Sequence, residues 1–242
     1  MNIIINGAKG RMGRIVDTAA AECGHSVVAR VDFGYAEGEG LRTLDEYQGP
    51  ADVVIDFSNH AATAQVTEYC VKRKLPVIIA TTGQTKAELA LIDAAAKAVP
   101  VFLSANMSLG VALLADLAKK AAAVFPDADI EIVEKHHNQK LDVPSGTALL
   151  LARRIKEARP EAEFVVGRHE NGKRTKHEIG IHSLRLGNEV GVHEIIIATG
   201  SETITLKHEA ENRSLFAQGA LAAAAFIVGR APGMYDMRSI IE

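Results

Sequence analysis

Three glycines, in Gly7-Ala-Lys-Gly10-Arg-Met-Gly13, follow the apolar run Ile3-Ile4-Ile5 and open a helix-like stretch. In that setting one glycine permits a tight turn, one lets the backbone approach a pyrophosphate, and one lets the helix pack close to the strand. The helix N-terminus then adds free N–H groups and a partial positive charge for phosphate oxygens. The spacing is G-x-x-G-x-x-G rather than G-x-G-x-x-G, so the loop by itself also reads as an ordinary glycine turn. Asp32 separates the two readings. It lies 19 residues past Gly13, at the end of a second apolar run, where a carboxylate can accept both hydroxyls of an adenosine ribose. Gly7, Ala8, Lys9, Gly10, Arg11, Met12 and Asp32 are therefore candidate contacts for a dinucleotide. Asp32 should repel a 2′-phosphate and favour NADH over NADPH, although Lys9 and Arg11 soften that preference. Two further loops, Ala80-Thr-Thr-Gly83 and Ser104-Ala-Asn-Met107, come at strand ends. Their small polar residues and exposed backbone suit a nicotinamide carboxamide and its ribose, with Met107 against the ring. Each also reads as a plain strand-end turn.

A second group of reactive side chains lies downstream. Seven of the nine histidines fall between His136 and His208, and the densest stretch is Glu134-Lys-His136-His137-Asn-Gln-Lys140-Leu-Asp-Val-Pro144-Ser-Gly-Thr147. Neighbouring histidines on a strand point to opposite faces, so His136 and His137 would not chelate one ion, and no metal is expected. Pro-Ser-Gly-Thr reads as a helix N-terminus. Backbone N–H groups of Gly146 and Thr147, with two hydroxyls, form a carboxylate-sized receptor, and His137 and Lys140 add positive charge. An imidazole titrates near neutrality, which makes His136 the natural general acid, and Lys140 could also give a proton. The competing reading is a solvated basic loop beside a helix cap.

These residues need elements to hold them. Over residues 1–107, strand and helix signals alternate, from Ile3–Ile5 through Val27–Val31, Asp52–Phe57 and Val77–Ala80 to Val101–Leu103. That alternation implies a parallel, Rossmann-like sheet with right-handed crossovers. Gly24 stops the first helix, Ser58 or Asn59 caps a second, and Thr85 with Glu88 forms a capping box for a third. Leu109–Val124 is a long apolar helix, Ile130–Val133 a strand and Thr147–Ala158 a helix. Four strand-like runs then fall between Phe164 and His208, with turn chemistry at Gly187-Asn188 and Gly200-Ser201. The region 108–212 is therefore an α+β domain with an antiparallel sheet. The alanine-rich helix Leu215–Val228 is apolar almost all round and belongs back against the first domain, giving one domain of 1–107 with 213–242.

The bulk numbers agree with a two-domain globular protein. At 242 residues, with 48% hydrophobic and 24% charged residues and a net charge of −3, neither nucleic acid nor membrane is an expected partner. Cys23 and Cys70 lack metal-ligand spacing and read as small, fairly buried hydrophobes in a reducing cytoplasm.

The whole chain resembles the 4-hydroxy-tetrahydrodipicolinate (dihydrodipicolinate) reductase family. The resemblance rests on Gly10-Arg-Met-Gly-Arg14, Asp56-Phe-Ser58, Ala80-Thr-Thr-Gly83 and the stretch from Glu134 to Thr147. Ser183-Leu-Arg185, Gly191-Val-His-Glu194, Phe216-Ala-Gln-Gly219 and Asp236-Met-Arg238 extend it. It implies reduction of a cyclic dicarboxylate imine with NADH or NADPH and loss of water, in lysine and diaminopimelate biosynthesis. His136 would then give or accept a proton and Lys140 donate one, while His137, Gly146 and Thr147 hold carboxylate. The glycine loop, Asp32, Ala80–Thr82 and Ser104–Met107 match the family's cofactor contacts, and the family's usual assembly is a homotetramer formed through the second domain's sheet. Some members place an arginine after the acid of the second strand. Phe33 stands there instead, which leans the choice to NADH. Two other readings keep the glycine loop and Asp32: a dinucleotide-sensing regulator without turnover, and a related amino-acid or aldehyde dehydrogenase.

Overall fold

Ile3, Ile4 and Ile5 have no exposed surface, because the strand they form, β1 (Asn2–Asn6), is paired on both sides in its sheet and covered on both faces. In the computed structural model, which describes residues 1–242, the chain folds as two units, Met1–Ser108 with Arg213–Glu242, and Leu109–Asn212. The first continues through α1 (Arg11–Glu22), β2 (Ser26–Val31), β3 (Val53–Asp56), α2 (Thr63–Arg73), β4 (Val77–Ile79), α3 (Lys86–Ala96) and β5 (Pro100–Leu103). Each helix ends for a local reason. Gly24 takes a φ of 72° after α1, Lys74 adopts the left-handed conformation after α2, and the Thr85–Glu88 capping box starts α3.

The second unit comprises α4 (Leu109–Val124), β6 (Asp129–His136), α5 (Gly146–Lys156), β7 (Glu163–Val166), β8 (Glu178–Arg185), β9 (Gly191–Ala198) and β10 (Thr203–Ala210). The chain then returns to the first unit as α6 (Ser214–Ile227), β11 (Gly233–Tyr235) and α7 (Arg238–Ile241). No helix is long and apolar enough to cross a membrane.

The six-stranded sheet runs β11-β5-β4-β3-β1-β2 with every ladder parallel. The chain leaves β1 for β2 on one side and resumes at β3 on the other, so the strand order switches at β1. All strand C-termini share one edge there, the edge at which open parallel sheets take ligands. Strand β11 was not foreseen: Gly233-Met-Tyr235 is too short to carry a periodic pattern, and it becomes a strand by pairing with the edge of β5.

The five-stranded sheet runs β10-β9-β6-β8-β7. It is antiparallel at β6–β9 and β9–β10 and parallel at β6–β8 and β7–β8. It is thus mixed, because α5 gives the chain a crossover between β6 and β7 where a hairpin would have kept it antiparallel. Strand β6 also runs past Val133 to His136, its polar residues being carried by pairing on both sides. Ile130, Ile132, Ile179, Ile181, Ile195 and Ile197 point to one face and close a core with α4 and α5. The cysteine expectation fails for one residue: Cys70 is buried, whereas Cys23 is exposed at the end of α1.

Candidate active site

Gly7 and Gly13 are glycines for steric reasons. A Cβ on Gly7 would stand 2.7 Å from the backbone of Phe57 and Ser58, and one on Gly13 only 2.1 Å from the carbonyl oxygen of Gly7. The loop therefore lies flat on the β3 turn, with α1 tight behind it. Asp56 is fully buried and anchors this arrangement, accepting from Asn6 Nδ2 at 2.8 Å and from the Ser58 hydroxyl at 2.5 Å. Beside the loop lies a cavity of about 520 Å³, lined among others by Gly7, Gly10, Asp32, Phe33, Arg42 and Ser58. A turn that admits no Cβ, a helix opening without a side-chain cap and a cavity of this size fit a dinucleotide phosphate.

The other expected cofactor residues divide. Asp32 reaches the cavity, with its carboxylate tethered by the N–H groups of Lys9 at 2.9 Å and Gly34 at 2.8 Å. Lys9 itself turns to the Gly34 carbonyl and to Glu39, so its charge is already paired. Arg11 is exposed and Met12 half-buried in the first turn of α1, and Ala8 is buried. Ala80, Thr81 and Thr82 follow β4. Thr82 is exposed, but Thr81 is buried and spends its hydroxyl on Asp56 and Gln84. In the loop after β5, the Ser104 hydroxyl donates to the Asn106 carbonyl at 2.7 Å, and Ala105 is exposed. Met107 is 2% exposed, and its carbonyl faces Gly219 of α6. Arg42 was missed because it lies ten residues past Asp32 in a segment with no motif. Its guanidinium sits 5.6 Å from the ring of Phe33, which is 83% exposed on the cavity wall.

In the second unit, the expected acid sits on the C-terminal end of β6. His136 is buried, and its Nδ1 donates to Oε2 of Glu134, two residues back on the same face. Glu134 has no exposed surface. Burial pushes its carboxyl upward, but the bonds from His136 and Arg185 outweigh that and hold it far below the usual carboxylate range. Nδ1 must therefore be the donor, since an ionised carboxylate can only accept. Arg185, opposite His136 in the β6–β8 register, grips Glu134 with both terminal nitrogens at 2.8 and 2.9 Å. The N–H of Ser145 donates to Oε1 of the same carboxylate at 3.2 Å.

Ser145 is the N-cap of α5, its hydroxyl accepting from the Ala148 N–H and lying 3.1 Å from Nε2 of His193. The Ser145 N–H is thus engaged by Glu134 and its hydroxyl by the Ala148 N–H and His193. Gly146, exposed, and Thr147, half-buried, are the first two helical residues. The N–H groups of such positions have no acceptor within their own helix. His137 is half-buried, its N–H held by the Glu189 carbonyl, and Lys140 pairs with Asp142 at 2.9 Å. His193 packs edge-on against His136 with ring centroids 5.2 Å apart. Burial, and next His136, push its pKa down to about 3, so it is neutral. Glu134, Arg185 and His193 were not read as site residues, and Ser145 was read only for its hydroxyl. Only the shared face of Glu134 and His136 on one strand could have signalled the first of them.

Family models described as dihydrodipicolinate reductase match this chain in two parts, the N-terminus over residues 1–107 and the C-terminus over residues 110–241. A 4-hydroxy-tetrahydrodipicolinate reductase of Caldanaerobacter subterraneus subsp. tengcongensis is 45% identical over 247 residues, covering 100% of this chain and 98% of the relative. The Clostridium tetani protein of the same name is 44% identical over 251 residues, covering 100% and 97%. A dipicolinate-bound dihydrodipicolinate reductase from Paenisporosarcina sp. TG-14 superposes with a TM-score of 0.82 at 26% identity, over 98% of this chain and 97% of that one. With both halves matched and relatives this similar along the full length, the chain belongs to the dihydrodipicolinate reductase family.

Proposed function

We propose that this chain reduces (2S,4S)-4-hydroxy-2,3,4,5-tetrahydrodipicolinate to tetrahydrodipicolinate with loss of water, in lysine and diaminopimelate biosynthesis, using NADH or NADPH. The observation that carries this reading is the meeting of His136 and the start of α5 on one buried carboxylate, in a member of this family. An acid and a carboxylate receptor held by the same group are what reduction of a diacid needs, and a dinucleotide-sensing regulator has no use for them.

In this reading residues 1–107 and 213–242 form the cofactor domain, and 108–212 the substrate and oligomerisation domain. The amides of the Gly7–Met12 loop hold pyrophosphate, Asp32 the adenosine ribose, and Ala80–Thr82 and Ser104–Asn106 the nicotinamide end. When bound, the dinucleotide supplies a hydride. The amides of Gly146 and Thr147 take a substrate carboxylate, with His137 and Lys140 adding positive charge. Nδ1 of His136 is committed to Glu134, so Nε2 is the atom that hands over a proton, and Lys140 is a second donor. Asp32 and Phe33 lean the cofactor choice to NADH, while Arg42 supplies a cation for the 2′-phosphate of NADPH on the same cavity. Exposed Leu184 and Leu186 at the end of β8 support assembly as a homotetramer through the second sheet. A biosynthetic family and two free thiols fit the cytoplasm.

The test is loss of reduced-dinucleotide absorbance with freshly condensed pyruvate and aspartate-semialdehyde product. The wild-type chain should turn over, and His136→Gln should lower kcat about 100-fold or more while leaving NADH affinity unchanged. Full activity in that variant removes His136 as the acid, and no activity in the wild type removes the reductase reading.

A further inference from the structure

Arg185 alone would balance the buried charge of Glu134 through its two-pronged contact, at 2.8 and 2.9 Å. Charge balance therefore leaves two bonds unexplained, those from His136 Nδ1 and from the Ser145 N–H. Both go to the groups on which the proposed reaction depends. We propose that Glu134 is the positioning residue of this site: its carboxylate fixes His136 as the Nδ1–H form, leaving Nε2 for proton transfer, and pins the cap of α5 so that imidazole and helix amides keep one mutual geometry. This inference rests on the reading of His136 as the acid.

The surroundings of His136 are otherwise rich in groups that carry or can acquire positive charge. Arg185 faces it from β8 and the ring of His193 from β9, with His208 of β10 directly opposite His193 in register. Lys140 comes from the loop after β6, paired with Asp142 at 2.9 Å. Apart from Asp142, which is engaged by Lys140, Glu134 is the carboxylate in this group, and it is the one bonded to the imidazole. Without it, His136 would face Arg185 with nothing to stabilise an imidazolium. The backbone of β9 also respects the free nitrogen: a Cβ on Gly191 would stand 3.1 Å from Nε2, and glycine leaves that atom uncovered.

The test uses the full chain with wild type, Glu134→Gln and Glu134→Asp. Three quantities are measured: NADH affinity by fluorescence titration, kcat and KM across pH, and the nitrogen chemical shifts of His136 by ¹⁵N NMR. The wild-type His136 should show a fixed Nδ1–H. Glu134→Gln should bind NADH within about twofold of wild type and lose about 100-fold in kcat. The basic limb of its kcat profile should move to lower pH, because the imidazolium has lost its anionic partner. Its His136 signals should lose the fixed Nδ1–H pattern, and Glu134→Asp should recover part of the kcat. Wild-type kcat and pH profile in a folded Glu134→Gln chain would overturn the proposal, as would a neutral wild-type His136 that carries its one proton on Nε2 rather than Nδ1. The tautomer needs neither turnover nor a stable variant. A chain inactive on the diacid whose wild-type His136 still shows the fixed Nδ1–H would therefore sink the reductase reading while the hold of Glu134 on the imidazole stands.

Discussion

His193 carries a cost that its place on β9 imposes. It is 4% exposed, burial and its neighbour His136 push its pKa down to about 3, and an unfolded histidine has a value of 6.5. Between those limits the unfolded chain binds a proton that the folded chain refuses, so acid favours unfolding. Above about pH 6.5 the effect vanishes, and below it stability should fall by up to about 1.4 kcal/mol per pH unit from this residue. Urea unfolding at about pH 7.5 and about pH 5 checks this, since the stabilising contribution of Glu134 is lost mainly below 4.5, where its carboxyl in the unfolded chain takes up protons while the folded one stays ionised. His193→Asn should show a shallower loss between the two conditions than wild type. Equal slopes would mean that His193 is protonated in the folded protein. Arg42 makes a second residue-level prediction. A charge-assisted bond to a 2′-phosphate is worth about 1.5–3 kcal/mol, so Arg42→Ala should weaken NADPH binding roughly tenfold or more and leave NADH nearly unchanged. Equal losses for both dinucleotides would make Arg42 a part of the cavity wall only. Arg42 belonged to no motif in the sequence, and His193 stood in the Gly191–Glu194 motif with no role given to it. His193 lies 57 positions from His136, and only the β6–β9 ladder brings the two strands together.

At the scale of elements, the first unit was readable because its strands are short apolar runs with turn or cap residues after them. The glycine loop and the Thr85–Glu88 box there, like the helix over 109–124 in the second unit, follow from side-chain size, capping and periodicity. Reading failed where pairing, not composition, makes the element. Strand β6 continues through Glu134-Lys-His136 because β8 and β9 flank it, and β11 exists by leaning on β5. The joint between α1 and the loop gives this scale its prediction. Since a Cβ on Gly13 would lie 2.1 Å from the Gly7 carbonyl oxygen, Gly13→Ala must push α1 away from the loop. The variant should lose at least about 2 kcal/mol of stability, as overpacked sites do, together with NADH affinity. Gly10 meets only its own turn, at 3.1 Å, and Gly10→Ala should cost less. The reverse ranking by thermal melting and NADH titration would show that the loop yields where the packing says it cannot.

Across the whole molecule, one unit carries the parallel sheet and the other the mixed sheet with the buried carboxylate network, and the proposed reading gives the dinucleotide to the first and the diacid to the second. Sequence alone led to both units and to the family, because motif residues are local: Gly7 to Gly13, and His136 to Thr147. It could not lead to the full carboxylate network, because Arg185 on β8 and His193 on β9 reach Glu134 and Ser145 only through sheet pairing. The account stands on that network serving a bound diacid. The most direct measurement is a crystal structure of the chain with reduced dinucleotide and pyridine-2,6-dicarboxylate. One carboxylate should lie on the amides of Gly146 and Thr147, with the ring within hydrogen-bonding reach of His136 Nε2. A diacid bound elsewhere, or a His136 turned away from it with Glu134 unengaged, would contradict the account.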